Sequence, residues 1–498
     1  MKIFVISDLH LGGRPHARHG ATCGTASDLG SQICHAYAEL TQFIDWVASQ
    51  GLANAAVELI INGDIVDFLM EDDYEAEPDA MPWVPDESRV LAKLQLIISR
   101  TREANPRGPF DAMADLLEKG HLLTFILGNH DVELSLPAVR RYLEEDVFNL
   151  AVNGKFRFIY DGEAYVKGDL LIEHGNRYDP WNVVDHSALR QERSMLSRGL
   201  GKQMCERQSG NFSPPPGSVL VTKVINQIKK EYSFVDLLKP ESHVVCAILL
   251  AIIPKLSHTM DAILLGWDKR INKPDRRTAQ PKHDGQLAAT SDEDGLSVAK
   301  SLKDTFGSDA NEFSIMQRGS GMQLSASDIW SKVKHFSNNI PQYITDKTSL
   351  LADSVADQKL KPLHLALRKW RNEHVISTTW EEPDYLSAVT KIGDDGKFNY
   401  IVLGHTHLPK HIEVSCKERT ITYLNTGTWA DTMQIPSTVF AIDAIENGAL
   451  TRFIEDLKGN HLDSYIKRQL SYVEIEFENN AVKTAELKEF SGAGIAFK

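Results

Sequence analysis

The sequence predicts an α/β core, split by a long helical insertion and completed by C-terminal strands. Three observations carry that prediction. Short, almost continuous apolar runs alternate with amphipathic helical spacings in the first 175 residues, and each run ends in a polar cluster. Strands buried on both faces read as unbroken apolar runs, and open α/β sheets place ligands just beyond strand C-termini. Strand-like runs then return after residue 397.

Residues 2–7 form the first such run. Segment 32–49 carries Ile33, Tyr37, Leu40, Phe43, Ile44 and Val47 at spacings of three and four, an amphipathic helix. A second buried strand is expected at 57–62, helices at 91–102 and 110–117, and a third strand at 122–127. Shorter strands follow at 156–160, 164–167 and 170–173. Between 177 and 397 helical spacing dominates, as in 180–200 and 218–238, and 268–304 is polar enough to be expected as a mobile loop. Strand character reappears at 400–403, 420–424 and 438–443, and the charged C-terminal tail is strand-like. The expected parse is therefore a first core segment over 1–176, an insertion or lid over 177–397, and a closing core segment over 398–498.

The 498 residues are ample for a large core, and 42% hydrophobic with 24% charged residues is ordinary for a globular chain. The formal net charge of −14 argues against broad, non-specific nucleic-acid binding. Five scattered cysteines, Cys23, Cys34, Cys205, Cys246 and Cys416, make no CxxC pair, so neither a disulfide framework nor a thiolate zinc site is expected. The start, MKIFVISDLHLGG, lacks the apolar length of a signal peptide, and the cytoplasm is the expected compartment. Residues 244–253 (VVCAILLAII) are too few to span a bilayer. They read as a core helix or, within 244–267, as a lipid-binding or membrane-surface segment giving peripheral contact.

Five polar clusters carry the chemistry: Asp8-Leu9-His10, Gly63-Asp64-Ile65-Val66-Asp67, Gly128-Asn129-His130-Asp131, His174-Gly175-Asn176 and Gly404-His405-Thr406-His407. Each alone is unremarkable; five carboxylate, amide and imidazole clusters, each at an expected strand end, are not. Two nearby divalent cations need such mixed oxygen and nitrogen donors, and a carboxylate can bridge them. Such a pair clamps the attacking and leaving oxygens of a displacement at phosphorus and acidifies water. Gly63, Gly128, Gly175 and Gly404 are expected to allow the turns that aim these groups into one cleft.

The ordered set D-x-H, G-D-x-x-D, G-N-H-D, H-G and G-H-x-H resembles the signature of calcineurin-like metallophosphoesterases. The resemblance implies a sandwich of two mixed β-sheets flanked by helices, and a dinuclear hydrolase of phosphoric esters or anhydrides. It implies that Asp8, His10 and His407 bind one metal, that Asn129, His174 and His405 bind the other, and that Asp64 bridges them. The ions would be Mn in the first instance, with Fe, Zn or Ni as alternatives. His130 corresponds to a histidine that protonates the leaving group, with Asp131 orienting it and Asp67 behind the ligands; helix-start capping is the plainer reading of both aspartates.

The runs GDIVDFL and GNHDVE stand where Ser/Thr protein phosphatases carry G-D-x-V-D-R-G and G-N-H-E, and without the Arg-Gly pair a protein phosphatase is not expected. In layout the chain is most similar to UDP-2,3-diacylglucosamine pyrophosphatases, through SDLHLGG, HGNRYD and a helical insertion before the last block. A phosphodiester or pyrophosphate in a small or lipid-linked molecule is the expected substrate, selected by the insertion. A partner-assisted nuclease is the alternative, through the basic stretch 269–277 (KRINKPDRR). Arg177 and Tyr178 are candidate substrate contacts, Arg14, His16, Arg18 and His19 a candidate anion rim, and Trp429 a stacking or packing residue.

Overall fold

The computed structural model describes residues 1–13, 31–51, 56–70, 86–102, 106–149, 155–179, 182–200, 221–229, 232–238 and 377–491, with scattered positions such as Trp83, Phe212, Ile248 and Leu363. The expected loop 268–304, the apolar segment 244–267 apart from Ile248, the basic stretch 269–277 and the rim residues Arg14, His16, Arg18 and His19 lie outside the described residues.

The first five expected strands form where the apolar runs placed them: β1 (Lys2–Ile6), β2 (Glu58–Asn62), β3 (Leu122–Ile126), β4 (Phe156–Ile159) and β5 (Tyr165–Lys167). Then come β6 (Leu170–Ile172), β7 (Tyr400–Leu403), β8 (Pro409–Ser415), β9 (Thr420–Thr426), the short ribbon β10 (Thr432–Met433) and β11 (Ile466–Lys467), and the long hairpin β12 (Ser471–Glu478) and β13 (Ala481–Glu489). One mixed sheet has the order β13-β12-β1-β2-β3-β4 and the other β5-β6-β7-β9-β8. Strands β1 to β4 run parallel to one another, as do β6, β7 and β9, whereas the hairpin β12–β13 is antiparallel.

Alternation along β1 explains its unbroken apolar character. Ile3 and Val5 face the layer between the two sheets, with Ile60, Ile172, Val402 and Leu424. Phe4 and Ile6 face the opposite layer, against α1 (Tyr37–Ser49), α2 (Glu87–Arg100) and α3 (Pro109–Glu118). After α4 (Pro137–Tyr142) and α5 (His186–Leu196), helix α6 (Pro383–Asp394) covers the outer face of the second sheet, placing Tyr385, Ala388 and Val389 against Leu171, Ile401 and Tyr423. Helix α7 (Ala449–Gly459) precedes the final hairpin. The result is a four-layer sandwich, helices–sheet–sheet–helix, with two mixed sheets as expected.

Two local expectations fail, and one strand was unforeseen. Residues 438–443 do not form a strand: Pro436 opens a 3-10 turn over Ser437–Phe440, which buries Val439 and Phe440 and leaves Ile442 78% exposed. A run of four apolar residues satisfies either geometry, and packing decided. Strand β8 escaped notice because it begins at a proline and alternates charged with apolar residues, both tolerated at the sheet edge where it lies. The stretch 218–238 is not one helix but a π-type turn (Val221–Ile225), one helical turn (Asn226–Lys229) and a 3-10 turn (Ser233–Asp236). It docks on the segment after Asp67, where the Asn226 amide donates to the Leu69 carbonyl. Buried Lys229 pairs with Asp236 at 2.5 Å. Among the described residues no helix is long and apolar enough to cross a membrane.

Candidate metal centre

The parallel strands of both sheets end on one side, and their C-terminal loops meet. Asp8 and His10 follow β1, Asp64 and Asp67 follow β2, and Asn129, His130 and Asp131 follow β3. From the second sheet, His174 follows β6, and His405 and His407 follow β7. Backbone bonds stitch the loops together: Asp8 N–H to the Gly63 carbonyl (3.1 Å), His10 N–H to the Asp64 carbonyl (2.9 Å) and Gly404 N–H to the His174 carbonyl (2.9 Å).

The backbone is strained at the functional side chains. Asp8, His10, Asp64, His405 and His407 all have φ between 45° and 69°, a region that side-chain-bearing residues seldom occupy. Each such residue costs on the order of 1–3 kcal/mol, and such strain collects at functional sites. Glycine serves this geometry less by turning than by leaving room. A Cβ on Gly63 (φ 85°) would lie 2.2 Å from His174 Nδ1, one on Gly128 2.0 Å from Asp64 Oδ1, and one on Gly404 2.6 Å from Ser7 Oγ. Only Gly63 and Gly175 (φ 102°) also need the left-handed conformation.

Asp8 and Asp64 are each held by one oxygen and open at the other. Asp8 Oδ2 accepts from the Ser7 hydroxyl and from the His405 backbone N–H (3.0 Å). Asp64 Oδ1 accepts from the His130 backbone N–H (2.9 Å). Asp8 Oδ1 and Asp64 Oδ2 are buried without a hydrogen-bond donor, as are Asn129 Oδ1, His174 Nε2 and His405 Nδ1. These atoms converge: His407 Nε2 lies 3.3 Å from Asp8 Oδ1, and His174 Nε2 lies 3.2 Å from Asp64 Oδ2. His10 Nε2 stands 3.1 Å from His407 Nε2. Among the described residues three groups of donor atoms each fall within 4.8 Å. The first is Asp8, His10, Asp64 and His407, the second Asp64, His174 and His405, and the third His10, Asp67 and His130 around the Asp67 carboxylate. The first two hold the orphaned aspartate oxygens, and Asp64 belongs to these two.

The histidine tautomers follow from partners that can only accept. His174 Nδ1 donates to the Asn62 carbonyl (2.8 Å), and His10 Nδ1 to Asp67 Oδ2 (3.0 Å). Each ring thereby turns an unprotonated Nε2 into the cleft, without a partner on His174 and beside His407 Nε2 on His10, as a metal ligand requires. Orphaned lone pairs of buried groups are costly unless something positive meets them, so this donor set fits divalent cations. Electrostatics agree. Burial disfavours charge on His174, yet the Asp64 and Asp8 carboxylates overcome it and raise the imidazole to about 10. Burial likewise works against Asp64, but His174 and His130 hold it well below the usual carboxylate range. A field that protonates buried imidazole also favours a cation in its place.

Residues 1–224 match the family model of the calcineurin-like phosphoesterases. No curated protein matches the chain. With the buried carboxylate–imidazole cluster, the match makes this chain a metal-binding hydrolase of phosphoric ester bonds. The matched segment ends before His405 and His407, so the second sheet of the phosphoesterase sandwich supplies two donors from beyond it.

The structure corrects one expected role. The Asp131 carboxylate accepts from the backbone N–H groups of Ile65 (2.7 Å) and Gly128 (2.8 Å), clipping two loops together. The carboxylate on His130 is Asp67, whose Oδ2 accepts from His130 Nδ1 and from His10 Nδ1, each at 3.0 Å. Five positions separate Asp67 and Asn62 at the end of one strand, and only folding shows which loop each aspartate faces.

The expected substrate contacts lie as follows. The Tyr178 hydroxyl donates to Glu173, and its ring packs beside Tyr385 in the outer core. Arg177 bonds the Gly162 carbonyl and lies 3.2 Å from Glu173. Trp429 is fully buried against Phe43, with its indole N–H donating to the Ser471 carbonyl (3.0 Å), so it packs and does not stack on a ligand. Sequence reasoning missed Asp179, whose Oδ2 meets His405 Nε2 at 3.1 Å. The signal was present as the last letter of HGNRYD, but nothing in the spacing aimed it at a histidine 226 positions away.

Proposed function

We propose that the chain hydrolyses a phosphodiester or pyrophosphate with two divalent cations, manganese being the first candidate. One would be held by Asp8, His10 and His407, the other by Asn129, His174 and His405, and Asp64 would bridge them. What carries this reading is the pair of half-satisfied aspartates: each has one oxygen pinned by a neighbouring loop's N–H and the other bare beside imidazole nitrogens. Bound there, the cations would supply Lewis acidity and lower the pKa of the attacking water.

The chain's own residues do the rest. Burial resists charge on Asp67, but the imidazoles of His130 and His10 hold it far down the carboxylate scale. As an anion it fixes the proton of His130 on Nδ1. The His130 ring, 17% of its side chain exposed, is the most accessible of the imidazoles grouped here and turns its other nitrogen away from Asp67. From there it would protonate the departing oxygen or stabilise the charge that develops on it.

The layout supports a small or lipid-linked phosphate compound such as a nucleotide-sugar pyrophosphate, chosen by the insertion. A cytoplasmic setting accords with Cys34 and Cys416, both free thiols. The nuclease and membrane-contact readings draw on 269–277 and 244–267, stretches outside the described contacts. The test is metal content of the purified protein with a panel of aryl monoester, aryl diester, nucleotide-sugar pyrophosphate, cyclic dinucleotide and single-stranded DNA. About two ions per chain with diester or pyrophosphate turnover is expected; no bound metal would end the proposal.

A further inference from the structure

The donors of the cleft are supported in two different ways. His10 and His174 are braced from the floor of the cleft, by Asp67 and by the end of β2. His405 and Asn129 are braced from the side, by one short segment at the mouth of the insertion. Asp179 Oδ2 meets His405 Nε2 at 3.1 Å and accepts from the Asn182 amide at 2.6 Å. The same Asn182 side chain uses its oxygen to accept from the Asn129 amide at 3.4 Å. Its backbone closes the segment: its N–H donates to the Asp179 carbonyl (2.9 Å), and its own carbonyl accepts from Asn176 (2.8 Å).

The chemistry of these bonds determines what is left over. A carboxylate can only accept, so His405 carries its proton on Nε2 and presents Nδ1, the buried atom without a donor, as a lone pair. The Asn129 amide donates through Nδ2, so its oxygen, also buried without a donor, is the atom turned to the cleft. One pair of side chains therefore decides which atom each of two donors offers.

We infer that Asp179 and Asn182 are positioning residues that preset His405 and Asn129 for one of the two cations, so that loading of this half-site depends on the segment leading into the insertion. The inference rests on the dinuclear reading above. It adds that the two half-sites are separable, because the bonds from Asp179 and Asn182 go to His405 and Asn129, donors of one half-site. The Asp179 side chain is 26% exposed, so replacing it removes little packing.

The experiment uses the full chain, stripped with chelator and titrated with Mn(II). Bound metal is read by plasma emission, and electron paramagnetic resonance distinguishes an exchange-coupled pair from an isolated ion. Wild type is expected to take two ions and give the coupled spectrum. Asp179→Ala should hold one ion where wild type holds two, show the six-line spectrum of an isolated ion, and bind the second about 10–100-fold more weakly. Asp179→Asn, whose amide oxygen still accepts from His405, should recover much of that loss. Asn182→Ala should weaken the same step and carries the test if the Asp179 variant does not fold, which thermal unfolding of the stripped proteins checks. Uptake of the second ion at wild-type affinity by the folded variants overturns the inference, as does parallel loss of both ions. Wild type that never binds two ions would instead refute the dinuclear reading itself.

Discussion

Replacing Asp131 by alanine separates a structural clip from a catalytic group. In the native protein Asp131 Oδ2 accepts from Ile65 N–H at 2.7 Å and Oδ1 from Gly128 N–H at 2.8 Å, all within the interior. Alanine leaves both amides buried and unpaired, and each such loss costs about 1–3 kcal/mol. Part of this returns, because burial and the Asp64 charge push the Asp131 carboxyl up to about 8, making it an unfavourable group to keep. A net loss of about 2–4 kcal/mol is expected, a large share of the roughly 5–15 kcal/mol that holds a typical domain. The loops it joins carry Asp64 and Asn129, so metal retention should fall along with stability. The assay is urea unfolding of the metal-free protein, followed through its tryptophans, beside metal content and hydrolysis. If Asp131→Ala unfolds within about 0.5 kcal/mol of wild type yet is inactive with both metals bound, the clip is wrong and Asp131 acts in catalysis.

Other substitutions test other links. His130→Ala should keep its metals and lose about 10²–10⁴-fold in kcat. The loss should be smaller for an aryl leaving group of low pKa, which needs little protonation, and equal losses for all leaving groups would contradict the proposed acid. Gly63→Ala adds a Cβ 2.2 Å from His174 Nδ1 at φ 85°, so backbone strain alone costs about 1–2 kcal/mol and His174 must move; unchanged metal affinity would refute the close approach. Asp64→Ala should lose both ions, since Asp64 belongs to the first two donor groups, and retention of one tightly bound ion would show that it serves a single site. Trp429→Ala should destabilise by about 3–5 kcal/mol as a core truncation without changing the order of substrate preference, which a repeat of the panel would check.

The match over 1–224 and the insertion after it invite a view of the enzyme as a complete domain with an appendage. The packing argues otherwise. Helix α6, inside the stretch expected as insertion, covers the outer face of the second sheet and brings Tyr385 within 6.5 Å of the His405 ring. Segment 221–238 docks beside Asp67, and its end continues to the ribbon, where Met433 N–H donates to the Leu237 carbonyl at 2.6 Å. Both stretches are therefore bound into the sandwich next to the donor groups.

By itself the sequence determined the parallel strands and the polar blocks at their ends. Runs such as 2–7 and 57–62 are local patterns that permit one structure, a strand buried on both faces, and the chemistry of D-x-H or G-N-H-D lies in side-chain identity. Edge strand β8, the 3-10 turn at Ser437–Phe440 and the broken helices of 221–238 were decided by which neighbours cover them. The roles of Asp67, Asp131 and Asp179 were decided in the same way. Each is an aspartate a few residues past a strand, and sequence distance says nothing of whether its carboxylate meets a histidine ring or a backbone amide. The left-handed backbone at Asp8, His10, Asp64, His405 and His407 is also beyond local reading, because Asp and His, though enriched there, adopt it only as a minority conformation. Only the loops of two sheets, clamped against one another, hold those residues there, and that clamping turns five short blocks into one cleft.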